Sequence, residues 1–449
     1  MNFPETLKYG LNVYGKSVKY TALLLLSLLG FSVNPLWPQN TLTLKDCYEK
    51  AAAVNALSAE KPLYSNVWEL KDRNLAKGWL PSLDANGSFI YNSSVVDIGS
   101  ELGSIPIPGI KDAIKPLPHE QYKITVDINQ LIYDGGAIKG ARQVEKADLT
   151  VNQKQTETDI YALRSQINSY FFNILLLTRQ KALLNNYLDL FNKRISSLES
   201  AARNGTALRS DIDAITSEKI RTEQQLSEND FRKAAFLNIL GEMTGIKIDT
   251  SIKLVSPVIS QNLPGELTRP ELQLFDLRKD ELTATLQVIG SKRLPKAFGY
   301  ATLGYGNPPG SNFFKNEFAP YYVVGAGIKW NIFDWNRSKN ERQLVTFQKS
   351  ILDGRKSDLS DKLNRLLEAK KAEIYSLESL VKSDSDLIVL RKRITLSAGS
   401  KYENGTITAA EFLNEVNSEK QAVINAEIHK INLSMARVEY LNISGRDVE

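Results

Sequence analysis

With 449 residues, 42% of them hydrophobic and 24% charged, the chain is long enough for about three ordinary domains and too apolar to be disordered. Its 56 basic and 51 acidic side chains leave a formal charge of +5, interspersed and not gathered into a stripe, so there is no electrostatic footprint for nucleic acid. The single cysteine, Cys47, excludes an internal disulfide, and with His119 and His429 far apart a His/Cys metal site is not expected.

Residues 1–39 read as a secretory signal. Lys8, Lys16 and Lys19 precede an apolar core from Thr21 to Phe31 that is too short to span a bilayer as a helix. The alternative is a buried N-terminal helix, and no small-x-small end marks a cleavage site. Beyond this run no stretch approaches the ~20 apolar residues of a spanning helix.

The remainder of the chain is one plan written twice, about 200 positions apart. Asn204-Gly205-Thr206 recurs as Asn404-Gly405-Thr406, and Ser217-Glu218-Lys219 as Ser418-Glu419-Lys420. Leu131-Ile132-Tyr133-Asp134 matches Asn331-Ile332-Phe333-Asp334, in the same order along the chain. Repeat 1 is placed at 40–245, a linker with a short outer strand at 246–268, and repeat 2 at 269–449.

Each repeat opens on a helix, Leu44 to Gly78 and then Pro270 to Leu294. Two strands come next, about 82–92 and 121–133 in repeat 1 and about 296–305 and 321–332 in repeat 2. Their residues alternate: Tyr122, Ile124, Val126 and Ile128 oppose Lys123, Thr125, Asp127 and Asn129. Segments of roughly ten residues, apolar and aromatic on one side, fit transmembrane β-strands. A small soluble sheet resting on a helix is the alternative. Proline-rich connections, Gly99 to His119 and Gly306 to Pro320, fit the long outward loops of such barrels.

Proline-free tracts from about Ala137 to Arg203 and Arg337 to Glu403 predict helices of ~100 Å. In the first, Leu163, Tyr170, Leu177, Leu184, Phe191 and Leu198 interleave with Ile160, Ile167, Ile174, Lys181, Leu188 and Ile195 as an a/d seam. The second keeps the register through Leu363, Leu367, Ile374, Leu377, Val381 and Ile388, with Lys370, Asp384 and Arg391 as polar interruptions. Each long helix ends in a turn, 203–211 and 402–411, before a second helix. Gly205 and Gly405 supply the positive φ of the reversal, and Ser210 or Asp211 is expected to cap the next helix. Four strands cannot close a barrel, and open edges cannot face lipid, so spanning strands require an oligomer.

With these pieces in order, the chain resembles the outer-membrane efflux protein family, TolC-like, across the mature sequence. The resemblance rests on Leu42-Thr43-Leu44 opening the first helix, Leu80-Pro81-Ser82-Leu83 entering the first strand, Gln130 to Gly136 and Trp330 to Asp334 leaving the strands, and the turns at Gly205 and Gly405. It implies a mainly α fold with transmembrane β: a homotrimer sharing a twelve-stranded barrel in outer-membrane lipid, continuous with a periplasmic tube of long α-helical hairpins. Such ducts passively conduct drugs, small molecules or proteins for tripartite efflux pumps or type I secretion systems, with a periplasmic adaptor and an inner-membrane transporter as partners.

By the same resemblance Asn204, Gly205, Thr206, Asn404, Gly405 and Thr406 are adaptor-docking turns. Glu411 and Asn414 occupy the positions of paired aspartates that narrow the entrance, and Tyr402, Ser210 and Asp211 those of groups that latch neighbouring helices. The chain departs from the pattern: Glu and Asn replace the aspartates, and Ile407 stands where a latching arginine is expected. Glu411 either lines the constriction or is a solvated helix-cap glutamate. No catalytic motif, cofactor site or metal site is expected; Gly304-x-Gly306-x-x-x-Gly310 sits among prolines without a following helix, so it is not a phosphate cradle. The alternative function is a periplasmic coiled-coil adaptor or scaffold without a barrel.

Overall fold

A computed structural model describes residues 41–97, 116–248, 252–259, 265–312 and 315–448. The segment expected to be a secretory signal, most of the 99–119 connection and parts of the linker lie outside the described residues. The elements run β1 (Thr41–Leu42), α1 (Leu44–Val54), α2 (Glu60–Ala76), β2 (Ser82–Tyr91), β3 (Glu120–Tyr133), α3 (Ala137–Arg203) and α4 (Arg209–Thr244). Then come β4 (Lys253–Leu254), α5 (Pro270–Ser291), β5 (Lys296–Asn307), β6 (Ala319–Lys329), α6 (Arg337–Glu403) and α7 (Ala409–Ser444).

The helix expected from Leu44 to Gly78 is divided. Asn55 takes an extended ψ of 131°, which ends α1, and its side chain accepts from the Leu57 N–H to start a short 3₁₀ turn before α2. The last strand stops at Lys329 and does not reach 332, because its partner β5 begins at Lys296, directly opposite, and nothing remains to pair with Trp330 onward. β5 itself, glycine-rich and weak as a sequence signal, is a central strand of 12 residues. Its aromatic rings explain this: Tyr300 and Phe298 lie over Gly325 and Gly327 of β6, where any Cβ would come within 3 Å of a ring.

β2, β3, β5 and β6 form one antiparallel sheet in that order, and β1 pairs with β4 in a small parallel one. Among the described residues the large sheet leaves both edges, β2 and β6, unpaired. Its apolar side is bare: Leu83 is 69% exposed, Ile124 68%, Tyr322 76% and Ile328 76%. No helix among the described residues is long and apolar enough to cross a membrane.

α3 and α6 span 67 residues each, and each folds back on its successor, α4 or α7. The seam of α3 is buried at Ile167, Ile174, Leu177, Leu184, Phe191 and Leu198. Its polar interruption is answered from across the hairpin, Lys181 reaching Asp230 at 2.8 Å. α6 repeats this at each of its own interruptions, with Lys370–Glu439 at 2.7 Å, Asp384–His429 at 2.8 Å and Arg391–Glu415 at 3.5 Å. One apolar core joins α1 to the middle of α3 and the C-terminal parts of α4 and α7 through Cys47, Phe171, Phe172, Leu240 and Val438; another lies at the far end, beneath the two turns. In all, the chain exposes 29825 Å², against about 17,000 Å² for a compact monomer of this mass. The molecule is built around surfaces it does not cover by itself.

Candidate functional site

The two helical hairpins end side by side. In repeat 1 α3 stops at Asn204, and Gly205, at φ 75°, turns the chain. The Gly205 N–H then reaches the Ala202 carbonyl at 3.0 Å and the Thr206 N–H the Ala201 carbonyl at 2.9 Å, a paired closure that satisfies the last carbonyls of the helix. Repeat 2 builds the same closure with Gly405 at φ 68°, Gly405 to Tyr402 at 3.0 Å and Thr406 to Lys401 at 2.9 Å. Both threonine hydroxyls add a bond to the same carbonyls, at 3.0 and 2.8 Å. All six turn residues are exposed, so the turns present a rigid, polar backbone knuckle to solvent.

The next helices start differently. Leu208 precedes α4 and has no side-chain oxygen, so the expected cap from Ser210 or Asp211 is not made; these residues fall inside the first turn of the helix. Asp211 there contributes only its charge toward the helix N-terminus. Thr408, the counterpart of Leu208, forms a capping box with Glu411. Its hydroxyl accepts from the Glu411 N–H at 3.2 Å, and the Glu411 carboxylate accepts from the Thr408 N–H at 2.8 Å and the Thr408 hydroxyl at 3.0 Å. The Thr408 backbone bond, then the hydroxyl bond, hold the Glu411 carboxyl below the ordinary glutamate range. Only Oε2 is engaged, and the side chain is exposed. Asn414, one turn further along the same face of α7, is exposed as well.

Tyr402 and Asp211 are brought together from the two repeats. The Tyr402 ring stacks on Phe412 at 5.4 Å, and its hydroxyl is buried without a hydrogen-bond partner. Burial, and next the Asp211 charge, push its pKa up. Ser210 is exposed, and no hydrogen bond of its hydroxyl is found among the described residues.

Arg194 of α3 was not among the expected residues. It pairs with Glu403 at 2.7 Å, and its guanidinium lies 5.9 Å from the Tyr402 ring centre and 5.1 Å from that of Phe412. A fixed cation thus stands beside this group, although Ile407 occupies the arginine position. Its signal in the sequence was its place directly before the seam residue Ile195, where flanking charges make interhelical pairs. Below the turns, Lys420 Nζ donates to Glu218 Oε1 at 2.8 Å, with both side chains under 10% exposed. The two belong to the duplicated Ser-Glu-Lys segments, one from each copy. Among the described residues no group of His, Cys, Asp and Glu is placed to hold a metal ion.

No protein-family model matches the chain, and no curated protein does. Solved structures do match, over nearly its whole length. The CusC structure, from work on folding and transmembrane channel formation, is 12% identical, covers 90% of this chain and 92% of its own, and superposes with a TM-score of 0.65. The outer membrane protein VceC of Vibrio cholerae is 13% identical over 90% of this chain and 97% of its own, at 0.62. The open state of the MtrE outer membrane channel of Neisseria gonorrhoeae is 13% identical over 90% and 89%, at 0.63. This chain therefore has the fold of TolC-like outer-membrane channels, mainly α with a four-stranded β contribution.

Proposed function

We propose that three copies of this chain form an outer-membrane exit duct, serving a tripartite efflux pump or a type I secretion system. The carrying observation is the sheet. Two unpaired edges and a bare apolar face are stable only if β6 of one copy pairs with β2 of the next and the closed barrel sits in lipid, where unpaired backbone groups cost several kcal/mol each. The long helical hairpins, continuous with the strands, extend the same ring into a water-filled tube, and the fold shared with known outer-membrane channels supports this reading. The duct moves its cargo passively. Energy comes from an inner-membrane transporter, coupled through a periplasmic adaptor that grips the knuckles at Asn204-Gly205-Thr206 and Asn404-Gly405-Thr406. The secretory signal delivers the chain to the envelope.

In this reading Glu411 and Asn414 face the axis at the closed end, with Tyr402, Ser210 and Asp211 holding adjacent hairpins. Capping does not compete with lining, since one Glu411 oxygen is left free. Fractionation tests the duct: heat-resistant trimers released from outer membranes only by detergent are expected, and release by osmotic shock would instead favour a periplasmic scaffold. Glu411→Ala should alter the conductance or cation preference of trimers in planar bilayers; an unaltered current removes Glu411 from the lining.

A further inference from the structure

The strand register gathers charge on one face of the large sheet. Asp84, Lys123, Asp127, Lys296 and Lys329 all fall on one face of the large sheet, and the opposite face carries no charge except Glu120 at the far end of β3. Since the uncharged face is the bare apolar one, the charged face is the lumen wall in the duct reading, on which this inference rests.

Along that wall the charges are grouped by sign. Lys296 and Lys329 are direct cross-strand partners at the helix-side end of the sheet. Asp84 and Asp127 are direct partners further along. Thr302, the β5 neighbour of Asp127, is six residues beyond Lys296, which puts the two pairs ~20 Å apart along the strand. Like charges directly opposite, with Cβ atoms ~5 Å apart, are unfavourable in a sheet. The aspartate pair is relieved by donors: Asn86 at 2.8 Å, Thr125 at 3.0 Å and Thr302 at 2.6 Å reach Asp127, and Ser82 at 3.3 Å reaches Asp84. The lysine pair has no such relief. Neither ammonium meets a carboxylate among the described residues, and both side chains are exposed. Next to them on the same face Phe298 and Tyr300 lie over Gly327 and Gly325.

We propose that Lys296 and Lys329 form an anion-binding belt at the helix-side mouth of the barrel, for solutes carrying closely spaced negative charges such as phosphate or polycarboxylate groups. Threefold repetition sets six ammonium groups around one lumen, where field focusing concentrates counter-anions. A bound multivalent anion supplies the compensation that the fold itself withholds, and the belt makes the duct favour anionic cargo at this point.

The test uses full-length trimers in planar bilayers with inorganic pyrophosphate as the probe. Wild type should be blocked by pyrophosphate. The Lys296→Gln/Lys329→Gln variant should require roughly tenfold more of it, with the reversal potential in a salt gradient shifted toward cations. Lys296→Arg/Lys329→Arg, which keeps the charge, should behave as wild type and so separates charge from loss of folding. A wild type that pyrophosphate does not block, or glutamine trimers blocked equally well, would overturn the belt. A wild type that carries no current defeats the duct reading, and the belt with it.

Discussion

In repeat 1 the chain enters its second hairpin helix through Leu208, whereas in repeat 2 it enters through Thr408 and closes a capping box on Glu411. The same divergence runs down the long helices. Phe191 and Leu184 are buried apolar seam residues of α3, and their counterparts in α6 are Arg391 and Asp384, each paired with a polar side chain on α7, Glu415 and His429. Tyr170 likewise corresponds to Lys370, which holds Glu439. Repeat 1 is thus held mainly by area removed from water, and repeat 2 more by polar groups that must find partners. Register in repeat 2 is specified by pairing, at little gain in stability, because partly exposed ion pairs contribute only ~0–1 kcal/mol each.

The contact between the repeats is where substitution should cost most. Lys420→Met leaves the buried Glu218 charge with only Arg221, 3.4 Å away and itself exposed, which should cost up to about 3–5 kcal/mol in denaturant unfolding of the solubilised protein. Glu218→Leu with Lys420→Met should recover most of that loss, and a silent single variant would mean the pair does not join the repeats. Next, Phe191→Ala should cost about 3–5 kcal/mol through its cavity, whereas Arg391→Ala at the matching position should cost less than ~1 kcal/mol. Equal losses would erase the distinction between the two seams.

At the turns the effects are smaller. Thr408→Ala should remove about 1 kcal/mol, and Leu208→Thr should add a comparable amount by giving Asp211 a partner, as Thr43 and Asp46 already form such a box at the start of α1. Thermal dissociation of the two variants, in opposite directions, would check this. The smallest effect is in pH. The Glu411 carboxyl is held below its unfolded value of ~4.3, so its contribution is complete above that pH and is lost as pH falls through the folded value. The protection factors of amides 406–413, relative to the intrinsic exchange rate at each pH, should fall on acidification in wild type, and Thr408→Ala should flatten that profile.

The candidate site was only partly legible in the sequence. The turn glycines stood out because a helix reversal demands a positive φ, and Glu411 because the family resemblance sets it at the position of one of the paired aspartates. A cap at Ser210 or Asp211 was the wrong inference. Both are good capping residues, but the helix begins at Arg209 with Leu208 at the cap, two residues before Ser210, and Ala207 and Ile212 on either side of this start pack in the apolar core beneath the turns. Arg194 lay outside any motif, since it meets Glu403 and the Tyr402 and Phe412 rings only across the two hairpins.

Local periodicity was enough to predict the alternating strands and two proline-free helices of great length. Each of these is a property of consecutive residues and needs no partner to be read. Tertiary packing chose which of two equivalent residues acts: Glu218 from one copy with Lys420 from the other, Lys296 opposite Lys329, Asp211 beside Tyr402. Those choices depend on the offset between segments tens to hundreds of residues apart. A one-residue change of that offset would leave every local pattern intact and replace every partner.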